Sequence, residues 1–270
     1  MLRITNATKT FHPGTPNEVL ALQGVDLHLE PGDFLIVIGT NGSGKSTLQN
    51  SVAGTFMLDS GRIRLNGHDI TRWPEHKRAR LIGRVFQNPF SGTAPNMTIA
   101  ENLALAARRG KPRGLGWALN RETRDRFREQ VRALNMGLED RIDNEIGTLS
   151  GGQRQALTLL MASFVKPNLL LLDEHTAALD PKTADQVIHL TKQVVERDRL
   201  TTLMVTHSMQ QAVHLGNRLI MMHKGRVIHD IRDDEKKRMR VEGLLDRFEE
   251  VRRVEALDLP AAELLKAAYI

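Results

Sequence analysis

Short, largely apolar runs alternate with longer segments of helical periodicity along most of this 270-residue chain. Three runs, residues 33–38, 169–172 and 201–205, have the length and composition of strands buried on both faces of a parallel sheet. Helical patterns separate these runs, and such alternation of strand and helix is typical of α/β proteins. The pattern therefore predicts an α/β fold with a mostly parallel core sheet.

The segments around these runs have patterns of their own. Residues 1–38 alternate in short β-like stretches, and residues 61–70 are predicted to form a strand closed by an Asn-Gly turn. Residues 89–165 have a helical pattern, interrupted by a basic loop rich in Gly and Pro at 108–114. The chain thus combines β-rich, helical and mixed regions.

The tail from about residue 233 is charged and helical in pattern. One of its faces is apolar, since hydrophobic residues fall at helical spacing. These residues are Val241, Leu244, Leu245, Phe248 and Val251. We expect this helix to pack on its own domain, and binding of a partner is the alternative.

The composition narrows the functional classes. Hydrophobic residues make up 40% of the chain, which is enough for a full core. We see no apolar run of membrane-spanning length and no signal peptide, so we expect a cytoplasmic location. Without cysteine the chain has no disulfides or thiolate metal sites. The net charge of +6 is compatible with binding of nucleic acid, anionic lipid or an acidic partner, or with a basic surface that only contacts solvent. Aromatic residues make up only 4% of the chain, which disfavours binding of single-stranded nucleic acid by base stacking.

The strand at 33–38 runs into the pattern G-x-x-x-x-G-K-[ST], and a helix is predicted directly after it. Glycines let successive backbone N–H groups turn towards phosphate oxygens, and the helix directs its positive N-terminal end at the same anion. Lys45 can reach the β- and γ-phosphates, and the Ser46 hydroxyl can bind Mg²⁺. The loop consists of Gly39, Thr40, Asn41, Gly42, Ser43, Gly44, Lys45 and Ser46. It predicts that the chain uses a nucleoside triphosphate.

The other two apolar runs deliver polar side chains at their carboxyl ends, where α/β proteins place their sites. One ends in Asp173, which can hold Mg²⁺, and Glu174, which can accept a proton from an attacking water. A capping role at a turn is the alternative for this pair. The other is followed by His207, which can donate a hydrogen bond to the γ-phosphate or be purely structural. Gln87 is a weaker candidate for contact with Mg²⁺ or the attacking water.

Residues 149–155 contain a second helix start suited to an anion. Ser150 is predicted to cap a helix that begins near Gln153, and Gly151 and Gly152 leave backbone N–H groups accessible. One nucleotide does not need two such helix starts. The segment is therefore either an ordinary capped helix or a binding site for a nucleotide held by another subunit.

Taken in order, these motifs resemble the nucleotide-binding subunit of an ATP-binding cassette (ABC) transporter, over about residues 1–250. Residues 39–47 match the Walker A motif, Gln87 the Q-loop, residues 149–153 the LSGGQ signature and residues 169–174 Walker B. Further matches follow at other positions: Ala178, Leu179 and Asp180 for the D-loop, His207 for the switch histidine, and Phe11 for the aromatic residue that stacks on adenine.

The resemblance implies a P-loop NTPase with the ABC-ATPase fold, in which an antiparallel β subdomain and an α-helical subdomain accompany the parallel sheet. The ATPase domain would comprise residues 1–252, with the helical subdomain at about 89–165 and a C-terminal helical tail at 253–270. Two cassettes would dimerise head to tail around two Mg-ATP. Asp180 would couple the two sites.

The resemblance also implies a role for each site residue. Glu174 would be the general base, assisted by His207 and Gln87, and Mg²⁺ would be held by Ser46, Gln87 and Asp173. The residues expected to contact ATP are Phe11, Gly39, Thr40, Asn41, Gly42, Ser43, Gly44, Lys45, Ser46, Thr47, Ser150, Gly151, Gly152, Gln153 and Asp180.

Residues 173–183 resemble one subgroup of importers, whose cassettes pair with branched-chain-amino-acid-type permeases and a lipoprotein-like substrate-binding protein. That subgroup is linked to uptake of amino acids, including aromatic ones. His175 departs from the family, because most cassettes carry Pro there and Pro fixes a turn. We expect an identical second cassette, a separate permease, an extracytoplasmic binding protein and no nucleic acid, with the chain peripheral to the inner membrane. An exporter ATPase and a soluble ABC ATPase acting on nucleic acid or ribosomes are the alternatives.

Overall fold

A computed structural model describes residues 1–111 and 119–258. Its strands are β1 (Leu2–Phe11), β2 (Val19–Leu29), β3 (Phe34–Gly39), β4 (Ser60–Leu65), β5 (His68–Asp69), β6 (Ile82–Val85), β7 (Leu169–Asp173), β8 (Thr202–Val205), β9 (Arg218–His223) and β10 (Arg226–Arg232). Its α-helices are α1 (Lys45–Ala53), α2 (Glu75–Arg78), α3 (Ile99–Ala107), α4 (Arg121–Arg132), α5 (Gly151–Phe164), α6 (Pro181–Asp198), α7 (Met209–His214), α8 (Asp233–Arg238) and α9 (Val241–Asp258). Short 3₁₀ helices lie at Pro89–Gly92, Glu139–Arg141 and Ile146–Thr148.

The core is a six-stranded sheet with the order β10-β9-β3-β8-β7-β6. The five strands from β9 to β6 are parallel, and β10 is antiparallel to β9. Strand β3 lies between β8 and β9 and is buried along its whole length. The carboxyl ends of β3, β8, β7 and β6 therefore lie side by side at one edge of the sheet, which is the edge where open α/β sheets bind ligands.

Successive side chains on the parallel strands point to opposite faces, because a strand has a period of two. On β3, Ile36 and Ile38 join one hydrophobic cluster, while Leu35 and Val37 join the other. The first cluster is completed by helices α3, α5, α6 and α7, and the second by α1 and the antiparallel sheet. Both faces are thus covered, which explains the uninterrupted apolar runs.

The second sheet is antiparallel, with the order β2-β1-β4-β5. Asn66 and Gly67 connect β4 to β5, and both have positive φ, 49° and 80°. Such φ values fit a type I′ hairpin turn, for which Asn-Gly is a preferred pair. The predicted α/β fold, with its parallel core sheet and antiparallel sheet, is confirmed, as is the turn at this position.

The chain between β6 and β7 is mostly helical and contains α3, α4 and α5. Helix α3 has a capping box in which Thr98 and Glu101 bond each other's backbone N–H groups. Phe127 and Val131 on α4 are fully buried in the first hydrophobic cluster. Of the basic loop at 108–114, residues 112–114 lie outside the described part of the chain.

Helix α9 packs on the same cluster through Leu244, which is fully buried, and Phe248. Leu245 on this helix is 45% exposed. Helix α9 continues past residue 252, the predicted end of the ATPase domain. Within the predicted tail, residues 259–270 lie outside the described part of the chain. The side chain of Val251 is not described either. Within the described residues, no helix is both long and apolar enough to cross a membrane.

Candidate functional site

The loop after β3 forms a cradle of backbone at the start of α1. Gly44 precedes the helix with φ 100°, and no side chain caps the helix start. A Cβ at Gly39 would lie 2.3 Å from the carbonyl oxygen of Met222, so glycine is required there for steric reasons. The Ser43 hydroxyl is buried and has no hydrogen-bond partner. An uncapped helix start and an orphaned buried hydroxyl suit an anionic ligand.

Lys45 on the first turn of α1 points back into this loop. Its Nζ donates hydrogen bonds to the carbonyl oxygens of Gly39 at 3.0 Å and Thr40 at 2.9 Å. Burial lowers the pKa of this amine, and the carboxylates Glu174 and Asp173 oppose that shift. The remaining predicted loop residues differ in exposure: Asn41, Gly42 and Ser46 are exposed, and Thr40 and Thr47 are half-buried.

The carboxyl ends of β7 and β8 bring Asp173, Glu174 and His207 together. Glu174 has φ 43°, and its backbone N–H donates to the carbonyl oxygen of Val205 at 3.0 Å. The left-handed conformation is costly for a residue with a side chain, so the surrounding contacts must hold it. The Glu174 carboxylate lies 2.6 Å from His207 Nε2. The structure therefore pairs the predicted general base with the predicted switch histidine.

A hydrogen-bonded network holds the two loops that carry this pair. The Thr206 hydroxyl donates to Gln211 Oε1 at 2.7 Å, and Gln211 Nε2 donates to the Thr176 hydroxyl at 3.0 Å. Gln211 lies on α7, so this helix links the residue before His207 to the loop after Glu174. Gln211 was not predictable as a linking residue, because a Gln on a short helix belongs to no sequence motif.

Gln87 and Phe11 lie at the margins of this edge. Gln87 is exposed and follows β6 by two residues. Phe11 ends β1 and packs edge to face on Phe56, with ring centroids 5.3 Å apart. Lys9 Nζ lies 5.6 Å from the centre of the Phe11 ring. The roles of Gln87 in metal binding and of Phe11 in stacking on adenine stay predictions.

The second predicted helix start has the expected cap. The Ser150 hydroxyl accepts a hydrogen bond from Gln153 N–H, and the Gln153 side chain accepts one from Ser150 N–H. A Cβ at Gly152 would lie 1.9 Å from Thr183 Cγ2, so a larger residue there would force the Thr183 side chain to move. At Gly151 it would make only an ordinary contact, 3.4 Å from Leu179 Cδ2. Internal packing therefore leaves the exposed glycine at 151 unexplained, and an external ligand would explain it.

The described contacts of residues 150–153 do not reach the phosphate-binding loop of the same chain. Asp180 is also separate from that loop and caps α6, since its carboxylate accepts a hydrogen bond from Thr183 N–H at 3.1 Å. The structure thus brings the residues after β3, β7 and β8 together. It leaves the following predicted site residues elsewhere: Ser150, Gly151, Gly152, Gln153 and Asp180.

ATP and Mg²⁺ fit the residues at this edge. The uncapped start of α1, the Ser43 hydroxyl and the Lys45 amine supply donors for phosphate oxygens. The Ser46 hydroxyl and the Asp173 carboxylate supply hard oxygen ligands, and Mg²⁺ prefers a few such ligands together with phosphate and water.

Residues 22–177 match the family model described as ABC transporter. This chain belongs to the ABC transporter ATP-binding cassettes. A tyrosine transport ATP-binding protein of Clostridioides difficile is 45% identical over 251 residues, covering 92% of this cassette and 99% of that protein. A methionine import ATP-binding protein of Shouchella clausii is 34% identical, covering 85% and 64%.

Solved structures of ABC cassettes have the same fold. A dimeric, post-hydrolysis structure of the ATP-binding cassette MJ0796 bound to ADP and phosphate has a TM-score of 0.73 and 30% identity, and the match covers 86% of this chain and 98% of that one. The protein is accordingly an ATPase subunit of a transporter, as the resemblance implied.

This cassette carries a buried histidine directly after Glu174. His175 is 1% exposed, and its Nε2 lies 2.9 Å from the Thr191 hydroxyl on α6. That hydroxyl donates its own proton to the carbonyl oxygen of Val187, so it must accept from His175 Nε2–H. Nδ1 is buried without a partner, and burial lowers the pKa of His175 to about 4. His175 is thus a neutral side chain that fixes the loop after Glu174 to α6.

We expect His175 to make the cassette sensitive to mild acid. The pKa is lower in the folded state than the usual 6.5, so the unfolded chain binds more protons and folding stability falls as the pH drops from 6.5 towards 4. Between pH 7.5 and 5.0 this residue should account for a loss of about 2 kcal/mol. Urea unfolding at both pH values measures it.

His175→Gln is the matched variant, because its amide N–H can still donate to Thr191 and does not titrate. Its free energy of unfolding should fall less than that of the wild type between the two pH values. Equal losses in both chains would show that His175 is not the source of the acid sensitivity.

Proposed function

We propose that this chain is the ATP-hydrolysing subunit of an importer for aromatic or related amino acids. The observation that carries the proposal is the 45% identity to a tyrosine transport ATP-binding protein along almost the whole of both chains. Residues 1–252 would form the ATPase domain and 253–270 a tail, and the protein would lie at the cytoplasmic face of the membrane. Its partners would be an integral permease and an extracytoplasmic substrate-binding protein.

The proposed chemistry is attack of water on the γ-phosphate of ATP. Glu174 would accept the proton of that water, and the 2.6 Å contact holds His207 beside it to orient the γ-phosphate. Ser46 and Asp173 would hold Mg²⁺, assisted by Gln87, and the bound ion would neutralise phosphate charge. Lys45, already aimed into the loop, would exchange its bonds to backbone carbonyls for phosphate oxygens.

The second half of each site would come from an identical copy of the chain. Ser150, Gly151, Gly152 and Gln153 would contact the nucleotide held by the partner, because they expose a helix start that no residue of their own site uses. The cassette MJ0796 is a dimer in its ADP-bound and phosphate-bound structure, which supports this arrangement. Asp180 would lie at the interface and couple the two sites.

The proposed permease surface is the segment 88–97, which follows Gln87. Phe90 in this segment is 57% exposed, and its ring stacks on the Arg154 guanidinium at 3.8 Å. Arg154 is buried on α5 and donates to the carbonyl oxygens of Ile146 and Gly147. A movement of Phe90 would therefore be transmitted through Arg154 to α5, the helix that begins at the signature motif.

We expect tagged wild-type protein, isolated from its native membranes in mild detergent, to bring down a multi-span permease and a substrate-binding protein. Phe90→Glu should lose both partners and retain ATP hydrolysis, because it places a charge on the proposed surface and leaves the site intact. Mass spectrometry of the co-purified proteins and phosphate release are the measurements.

Leu105→Glu is the matched control, since Leu105 on α3 is 58% exposed and lies outside the proposed surface. It should keep both partners. A permease without a binding protein would favour the exporter. Ribosomes or nucleic acid without a membrane protein would contradict the proposal, and so would an unchanged permease yield in Phe90→Glu.

A further inference from the structure

Arg84 is a charged residue in β6, a short strand of the parallel sheet with an otherwise apolar pattern. Its side chain is only 14% exposed, and burial lowers its pKa. A guanidinium stays protonated in proteins, and a buried charge is costly unless it meets opposite charge and hydrogen-bond acceptors. The groups that surround the Arg84 guanidinium therefore indicate its role.

The carboxylate that faces Arg84 is that of Asp173, the proposed Mg²⁺ ligand. Arg84 Nη2 lies 3.7 Å from Asp173 Oδ2. Burial raises the pKa of Asp173, and the positive charge of Arg84 is the largest influence that opposes this rise. The ion pair therefore places a positive charge directly against the carboxylate that is proposed to hold the metal.

Three further contacts fix the guanidinium in this place. Arg84 Nη2 donates to Asn50 Oδ1 at 2.5 Å and Nη1 donates to the Thr55 hydroxyl at 3.1 Å, so the side chain bridges β6 to α1 and the residues just after it. The guanidinium also stacks on the Phe86 ring, 4.5 Å from its centre. Glu75 is a looser partner at 3.8 Å and is largely exposed.

The edge of the sheet thus carries two buried or half-buried cations opposite two carboxylates. Lys45 is attracted by Glu174 and Asp173, and Arg84 is attracted by Asp173 and by the more exposed Glu75. Since Lys45 lies within the phosphate-binding loop and Arg84 beside the metal ligand, each cation balances a different part of the site.

We propose that Arg84 is a positioning residue that balances the charge of Asp173 and so allows ATP to bind before or without Mg²⁺. The inference rests on the proposed roles of Lys45 and Asp173. Without Arg84 the site has more negative than positive charge, which repels a polyphosphate and attracts a divalent cation. With Arg84 the cations Lys45 and Arg84 equal the half-buried carboxylates Asp173 and Glu174 in number, and the exposed Glu75 is screened by solvent.

The test is the metal dependence of nucleotide affinity in the full chain. A nonhydrolysable ATP analogue is titrated by calorimetry in excess EDTA and in excess Mg²⁺. In Arg84→Met we expect the dissociation constant in EDTA to rise about tenfold, because a nearby positive charge is lost in a partly buried site. In excess Mg²⁺ the rise should be much smaller, since the cation replaces the missing charge.

Three variants separate charge from folding. Arg84→Lys restores the charge and should restore the wild-type ratio of the two dissociation constants. Arg84→Gln is neutral, keeps an amide donor for Asn50 and should behave like Arg84→Met, so it serves if the Met variant does not fold. Arg78→Met is the matched control, because Arg78 is fully buried and donates to the carbonyl oxygens of Ser51 and Val52 on α1.

Arg78→Met should lower the melting temperature and leave the ratio unchanged. An unchanged ratio in both neutral variants would overturn the proposal, and so would failure of Arg84→Lys to restore it. If the wild type bound no nucleotide in either condition, the proposed nucleotide site itself would be wrong. If the wild type bound nucleotide and the Arg84 variants had the wild-type ratio of dissociation constants, only the role of Arg84 would be wrong.

Discussion

Glu174→Gln should bind ATP with about the wild-type affinity, hydrolyse it about 10³-fold more slowly and accumulate as a closed, ATP-bound dimer. The amide keeps the shape and hydrogen-bonding capacity of the side chain beside His207 but cannot accept a proton from water. Binding uses the loop at 39–46, which this change does not touch. Phosphate release measures the rate, and size-exclusion chromatography with and without ATP measures the dimer.

Glu196→Gln is the control for this experiment, because it removes an exposed carboxylate near the C-terminal end of α6 whose ion-pair partner, Lys192, lies on the same helix. It should hydrolyse ATP at the wild-type rate. Its oligomeric state with and without ATP should also be that of the wild type. Hydrolysis by Glu174→Gln at close to the wild-type rate would show that another group takes the proton.

Ser150→Arg should nearly abolish hydrolysis while a single chain still binds ATP. The change removes a helix cap, worth about 1 kcal/mol, and places a bulky cation where the partner's nucleotide is proposed to bind. Because residues 150–153 make no described contact with the phosphate-binding loop of their own chain, affinity for the first ATP should be retained. Binding to the monomer and hydrolysis at high protein concentration are the two measurements.

Asn120→Arg provides a matched cap at another helix. Asn120 is exposed and caps α4 by accepting a hydrogen bond from Thr123 N–H at 2.8 Å. Its loss should lower the melting temperature about as much as Ser150→Arg and leave hydrolysis intact. If both variants lost hydrolysis equally, helix capping would explain the effect and the role in trans would be wrong.

Most of the local features were predictable because they depend on neighbouring residues. The loop at 39–46, the cap formed by Ser150 and the turn at Asn66-Gly67 are each specified by backbone sterics and hydrogen bonds over a few positions. The same holds for the apolar strands, whose hydrophobicity reflects burial on both faces. These features, in their order along the chain, were sufficient to indicate the family and its fold.

Contacts between side chains that are distant in sequence could be identified only from the strand order and register of the sheet. Arg84 is separated from Asp173 by 89 positions, and only the pairing of β6 with β7 places them together. A charge inside an apolar strand was the available signal, but its partner could not be read from the sequence. The burial of His175 against Thr191 likewise depends on the packing of α6.

The sequence by itself determined the phosphate-binding loop, the helix cap at Ser150 and the α/β fold, because local hydrogen bonding and hydrophobic periodicity encode them. Only the tertiary structure decided that Glu174 meets His207, that Arg84 faces Asp173 and that residues 150–153 lie away from their own phosphate-binding loop. The reason is physical: parallel strands contact each other across long loops, so the order in which they pair selects the side chains that share one edge.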